Sequence, residues 1–144
     1  MRIRPFAPSD TDAVVALWER CELTRPWNDP RADIARKLTV QPELFLVGEL
    51  DAGDAGARLV ASVMAGYDGH RGWMNYLAVD PAERGRGLGR TLVTAVEERL
   101  TALGCPKANL QVRAGNETAV GFYRAIGYDL DGTIGLGKRL IPDT

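Results

Sequence analysis

The sequence predicts one α/β (α+β) domain built on a mixed central β-sheet. Three observations carry that expectation. Segments with two-residue alternation or short apolar runs cluster between residues 44 and 79, separated by turns rich in Gly and Asp. A long helical stripe, Leu88, Leu92, Val96, Leu100 and Leu103, follows them and precedes another strand and another helix. No stretch is long or polar enough to act as a linker, and no internal repeat occurs.

In chain order, Ile3 and Phe6 mark a short first strand. Pro8-Ser9-Asp10 then offers capping groups ahead of an apolar stripe at Val14, Leu17, Trp18 and Cys21, which predicts a helix with one buried face. Arg25-Pro26-Trp27-Asn28-Asp29-Pro30 interrupts it, and Asp29-Pro30 reads as an N-cap with proline in the first turn of a second helix reaching to about Val40. Leu44 to Leu50 and Arg58 to Tyr67 form a hairpin around the loose turn Asp51 to Ala57, and Trp73 to Val79 adds a third strand after the turn Gly66 to Gly72. Asp80-Pro81 closes this meander. The long helix ends at Gly104 and Pro106, and Ala108 to Val112 is a short strand. Asn116 caps a helix whose Ala119, Phe122, Tyr123 and Ile126 share a face, with Gly127 as terminator. Tyr128 to Thr133 and Leu136 to Ile141 read as a closing pair of strands.

Bulk properties narrow the function. A chain of 144 residues fills one domain and can bury roughly two-thirds of its unfolded surface. Its 18 basic and 19 acidic residues nearly cancel, so nucleic acid is not expected as a partner, although a local basic patch can still hold a small anion. Cys21 and Cys105 belong to no metal-spaced cluster and imply no disulfide framework. No signal-like start and no apolar run near the roughly 18 residues of a membrane span occur, so the expected compartment is the cytoplasm and no membrane is implied. A single histidine without convergent Cys or Glu spacing gives no metal site.

The segment carrying most chemistry is Arg84-Gly85-Arg86-Gly87-Leu88-Gly89-Arg90, between a strand and the long helix. Helix N-termini present unpartnered N–H groups and the positive end of the dipole. Glycines let the backbone curl around a phosphate, and the arginines keep their charge at neutral pH. The same turn could also be a solvated helix start. Glycines at 85, 87 and 89 miss the G-x-G-x-x-G spacing of dinucleotide folds, and no G-x-x-x-x-G-K-[ST] occurs, so neither NAD nor ATP is favoured.

Arg84-x-x-Gly87-x-Gly89 matches a Q/R-x-x-G-x-G/A signature and resembles the GNAT N-acetyltransferases. The likeness continues through Asn116-x-x-Ala119-x-x-Phe122-Tyr123-x-x-x-Gly127-Tyr128, which is similar to that family's second block. The resemblance implies helices on both faces of the sheet, a splay between the fourth and fifth strands, and acetyl-coenzyme A as co-substrate. It implies that the pantetheine arm lies against Leu77, Ala78 and Val79. The pyrophosphate would sit on the amides of Arg84, Gly85, Arg86, Gly87, Leu88, Gly89 and Arg90, and Asn116 and Tyr123 would approach from across the splay. Leu77 and Val79 are equally readable as core strand residues.

Acetyl transfer to an amine needs a neutral nucleophile, a donor for charge on the thioester oxygen and a proton for the departing thiolate. The resemblance places the Tyr123 phenol near the coenzyme sulfur as that proton donor; packing alone could also account for it. The general base stays open among Asp68, His70, Glu22, Asp29 and Asn75 acting through a water, and Asp68-Gly69-His70 also reads as a plain turn. Trp27, Asn28 and Asp29 fall where GNAT proteins shape the acceptor pocket, so with Asp68 and Asn75 they are candidate substrate-binding residues; the loop reads equally as a rigid helix connection.

Further segments, among them Leu17-Trp18-Glu19-Arg20-Cys21, Gly66-Tyr67-Asp68-Gly69-His70-Arg71-Gly72 and Gly137-Lys138-Arg139-Leu140-Ile141, resemble the small bacterial acetyltransferases called YpeA. The expected activity is transfer of acetyl to a primary amine of a small molecule or amino acid-like compound. Alternatives are a protein N-terminal or lysine acetyltransferase, since Leu110-Gln111-Val112-Arg113-x-x-Asn116 with Phe122-Tyr123 also resembles the ribosomal-protein modifying group, and a non-catalytic coenzyme A-binding module. A homodimer is compatible with this reading.

Overall fold

A computed structural model describes all residues from Met1 to Thr144. Five strands form one sheet in sequence order, β1 (Arg2–Pro5), β2 (Phe45–Asp51), β3 (Ala57–Tyr67), β4 (Gly72–Val79) and β5 (Ala108–Leu110). The first four are antiparallel neighbours and β5 joins β4 in parallel, which makes the sheet mixed. The helices are α1 (Thr11–Arg20), α2 (Pro30–Lys37), α3 (Leu88–Ala102) and α4 (Glu117–Ala125).

Helices cover both faces, as the alternation along the strands requires. Phe45, Val47 and Ala78 point to the side where Val14, Leu17 and Trp18 of α1 are fully buried, and the Phe6 ring stacks on Phe45 at 4.3 Å. Leu46, Val63 and Ala65 point to the opposite side, against Leu92, Val93, Val96 and Leu100 of α3, with Phe122 of α4 and Ile126 at its C-cap packed on the rim. Fully burying each Val, Leu or Phe of these contributes about 1.5–3 kcal/mol. Gly72 lets the start of β4 meet α3 closely: a Cβ there would lie 2.6 Å from Leu100 Cδ1 and 3.0 Å from Cys105 Sγ.

Two helix starts follow their local chemistry, whereas Asp10, expected among the capping groups of α1, makes no side-chain cap bond because its carboxylate is taken by Arg4 and the Ala7 amide. The Asp29 side chain accepts from the Arg31 amide, with Pro30 in the first turn of α2. Asn116 Oδ1 accepts from the Ala119 amide at 3.1 Å and starts α4. Two boundaries are shorter than the sequence predicts: α2 ends at Lys37 rather than Val40, and β5 ends at Leu110 rather than Val112.

The closing strand pair expected at Tyr128 to Thr133 and Leu136 to Ile141 does not form. Its apolar side chains find nothing to cover them: Ile134 is 89% and Leu136 94% exposed. Gly132, Gly135 and Gly137 interrupt the alternation, and glycine weakens a strand by entropy and by lacking a side chain to pack. The segment instead crosses the molecule. Lys107 pairs with Asp131 near its start, and at its end the Asp143 carbonyl accepts from the Asp29 amide at 2.8 Å while the Asp143 carboxylate accepts from Arg36 at 3.3 Å.

Candidate active-site cleft

A splay in the sheet creates the main cleft. β4 and β5 pair only at Gly72 with Ala108, Trp73 with Asn109 and Met74 with Leu110. Beyond Met74 the strands part, and Asn75 to Val79 faces Gln111, Val112 and Arg113 across open space. This stretch of β4 pairs with β3 on one side and has no strand on the other. Such an edge presents free N–H and C=O groups that an extended amide-bearing chain can pair with.

A β-bulge lies in that edge. The β3–β4 register runs from Ser62 opposite Ala78 to Met64 opposite Asn75, so Tyr76 and Leu77 together oppose Val63. Tyr76 takes φ of 53°, a left-handed conformation that an aromatic residue adopts only under constraint. The constraints are visible. Its ring stacks on Trp18 at 3.8 Å, the Trp18 indole donates to Ser62 Oγ at 2.8 Å, and Ser62 Oγ donates to the Tyr76 carbonyl at 3.2 Å. The Tyr76 hydroxyl donates to Asp33 Oδ2 at 2.6 Å and lies 3.1 Å from Asn28 Nδ2, which also donates to Asp33 Oδ2 at 2.7 Å. Burial opposes ionisation of Asp33, but hydrogen bonds from Asn28, Tyr76 and Arg36 outweigh it and hold the carboxyl below its usual range. Burial, with the hydrogen bond to Asp33, pushes the Tyr76 phenol well above its ordinary value.

At one end of the cleft stands the glycine-arginine turn. Gly85 (φ 82°) and Gly87 (φ 76°) need left-handed backbone, and Gly87 is the N-cap of α3 without any side-chain cap. The Thr91 amide reaches back to the Gly87 carbonyl at 3.1 Å, so by helix geometry the amides of Leu88, Gly89 and Arg90 have no intrahelical acceptor. Arg84, Gly85, Gly87, Leu88, Gly89 and Arg90 line the cleft. Arg86 is the exception, because its guanidinium pairs with Glu83, which also takes Arg58 at 2.5 Å. Gly89 has a packing reason as well: a Cβ there would sit 3.2 Å from the Phe122 ring of α4.

Asn116 and Tyr123 line the facing wall. The Tyr123 ring meets Phe122 and Tyr128 edge-on at 5.0 and 5.7 Å, and its hydroxyl has no hydrogen-bond partner. Burial pushes its pKa up to about 12, so the phenol stays protonated at any physiological pH.

Toward the other end lie Glu22, Arg25, Trp27, Asn28, Asp33 and Asn75. Glu22 has φ of 58° and is the cleft carboxylate that no cation or donor engages; Asp33 holds Arg36, Glu83 holds Arg58, and Asp131 holds Lys107. Three sequence candidates lie elsewhere. The Asp29 side chain is spent capping α2. Asp68 and His70 sit at the exposed tip of the β3–β4 turn, where Asp68 accepts from the His70 and Arg71 amides at 2.7 Å. No group of three or more His, Cys, Asp or Glu side chains converges anywhere in the chain. Sequence reasoning missed Asp33 and Tyr76. Only the position of Asp33 one turn past the Asp29 cap hinted at it, and nothing in the sequence marks Tyr76 as a bulge.

Comparison with known proteins agrees with this architecture. The acetyltransferase (GNAT) family model matches residues 12–128. An acetyltransferase of Yersinia enterocolitica is 52% identical over 143 residues, covering 99% of this chain and 98% of that protein. One from Pectobacterium atrosepticum is 50% identical over the same length and shares. Among solved structures, the aminoglycoside 6'-N-acetyltransferase of Acinetobacter haemolyticus superposes with a TM-score of 0.70 at 16% identity, covering 98% of this chain and 99% of that one. The ribosomal-protein alanine N-acetyltransferase of Escherichia coli gives 0.67 at 23% identity, covering 88% and 76%. These two share the fold with the present chain.

Proposed function

Because the chain belongs to the GNAT acetyltransferase family and is an acyltransferase, we propose that it moves the acetyl group of acetyl-coenzyme A onto a primary amine of a small molecule or amino acid-like substrate. The observation that carries this reading is the parting of β4 from β5 after Met74, with a capless helix N-terminus at one end of the gap and a half-buried phenol across it.

The residues present fit the coenzyme. The strand edge of Leu77, Ala78 and Val79, whose Val79 carbonyl accepts from the Cys21 thiol at 3.3 Å, suits the amides of a pantetheine arm, and the α3 amides with Arg84 and Arg90 suit a pyrophosphate. The bound thioester supplies an acetyl carbonyl carbon open to an amine and a C–S bond that breaks. A backbone N–H of the Leu77 to Val79 stretch would polarise the carbonyl oxygen. Tyr123, kept protonated by burial, gives its proton to the departing sulfur and is reprotonated from solvent. Glu22, the unpaired carboxylate of the cleft, takes the proton the amine sheds.

The segment from Asp131 to Arg139 lines the cleft and is fastened to α2 through Asp143, so it bridges the acceptor end. That bridge supports a compact acceptor over an extended peptide. Screening amines, amino acids and N-terminal peptides by release of free thiol from acetyl-coenzyme A tests the reading. Turnover with a small amine is expected; turnover with peptides alone, or with no amine at all, would contradict it.

A further inference from the structure

The side-chain cluster at the acceptor end contains an amide whose orientation the neighbouring groups dictate. Asp33 is ionised and can only accept, so the Asn28 atom 2.7 Å from its Oδ2 must be the donating Nδ2. The Tyr76 hydroxyl spends its one proton on the same Asp33 oxygen at 2.6 Å and therefore accepts from Asn28 at 3.1 Å. Both Asn28 donors are thus used, and the carbonyl oxygen is turned the other way. That oxygen makes no hydrogen bond within the protein, yet no polar side-chain atom is buried without a partner, so it is open to solvent. Asn28 lines the cleft next to the β4 bulge, since Tyr76 is both its partner and the bulged residue.

We infer that Asn28 presents a fixed hydrogen-bond acceptor to the N–H of the incoming amine, with Asp33 and Tyr76 as the positioning pair that holds it. This rests on the acyl-transfer reading and adds the acceptor's recognition to it. A neutral amine needs its lone pair aimed at the carbonyl carbon, and an acceptor on one N–H aims it. Tyr76 ties that acceptor to the thioester side, because the residue that fixes Asn28 also bends the strand carrying the polarising amide. Its left-handed backbone is strain retained where both tasks meet. The site selects for an N–H donor at this position.

Two probes isolate the contact: coenzyme A alkylated on sulfur with an N-ethylacetamide group, and its N-ethyl-N-methyl counterpart, which has no N–H. Calorimetry should show the wild-type protein binding the first about two- to tenfold more tightly, the range of one neutral hydrogen bond. Asn28→Ala should bring the ratio to about one, and Asp33→Ala and Tyr76→Phe should lower it. Asp33→Asn, which keeps an accepting oxygen, should restore most of it. Tyr76→Phe retains the ring stacked on Trp18, so it tests the hydroxyl without endangering the fold. Equal binding of both probes, or a ratio that survives Asn28→Ala, would overturn the inference while leaving the acyl-transfer reading standing. Failure to bind acetyl-coenzyme A would overturn that reading and the inference with it.

Discussion

Tyr123→Phe removes one oxygen and little else. The ring would keep its edge-on contacts with Phe122 and Tyr128, and no hydrogen bond is lost because the hydroxyl makes none. Stability should therefore stay within about 0.5 kcal/mol of wild type. The catalytic cost should be far larger. A positioned acid contributes about 10²- to 10⁴-fold, equivalent to about 2.7–5.5 kcal/mol of barrier. The assay is thiol release at saturating acetyl-coenzyme A with the acceptor found by screening, alongside calorimetric binding and a melting curve. The expected pattern is a fall in kcat of about that size with binding and melting unchanged. Because burial lifts the phenol to about 12, no downturn in rate from its ionisation should appear up to pH 10 in either protein. Full activity in the mutant, or a loss matched by weaker coenzyme binding, would refute the assignment of Tyr123 as the acid.

Other substitutions separate site from scaffold. Gly87→Ala places a Cβ in open space at a left-handed position, so it should cost about 1–2 kcal/mol of stability and weaken coenzyme binding beyond that loss, read by melting and calorimetry together. Gly89→Val meets the Phe122 ring and should instead destabilise the fold by about 1–3 kcal/mol, seen as a lower Tm. Glu22→Gln should lower turnover at neutral pH and leave a rate that climbs as the solution itself deprotonates the amine, which a pH–rate profile shows. On the acid side, hydrogen bonds from Arg4 hold the Asp10 carboxyl below its usual range. A depressed folded-state pKa stabilises at pH values above the ordinary aspartate range, and that contribution is lost as pH falls through it toward the lower folded value. Asp10→Asn should accordingly melt lower than wild type at neutral pH, with the difference shrinking as acid is added.

Much of the fold is legible in local patterns because those patterns are self-sufficient. Asp29-Pro30 starts α2 and Asn116 starts α4 through their own side chains, and the stripe from Leu88 to Leu100 has the period of the helix it forms. The glycine-arginine turn is readable for the same reason, since left-handed backbone at Gly85 and Gly87 is written in residue type. Where partners decide, the sequence falls short. The run from Tyr128 to Ile141 carries strand-forming residues without a strand to pair with. Tyr76 adopts a glycine-like conformation that its residue type disfavours, imposed by Trp18, Ser62, Asp33 and Asn28, which lie far from it in sequence. Arg86 belongs to the phosphate-binding pattern by position, yet it is claimed by Glu83.

The central claim is that the gap between β4 and β5 holds acetyl-coenzyme A. Titrating isotope-labelled protein with acetyl-coenzyme A while following backbone amide resonances tests it most directly, with NAD and ATP as controls. The account predicts saturable shifts concentrated at Asn75 to Val79, at Arg84 to Arg90 and around Asn116 and Tyr123, with little response to the controls. Absence of saturable binding, equal responses to all three ligands, or shifts confined to other parts of the surface would contradict it.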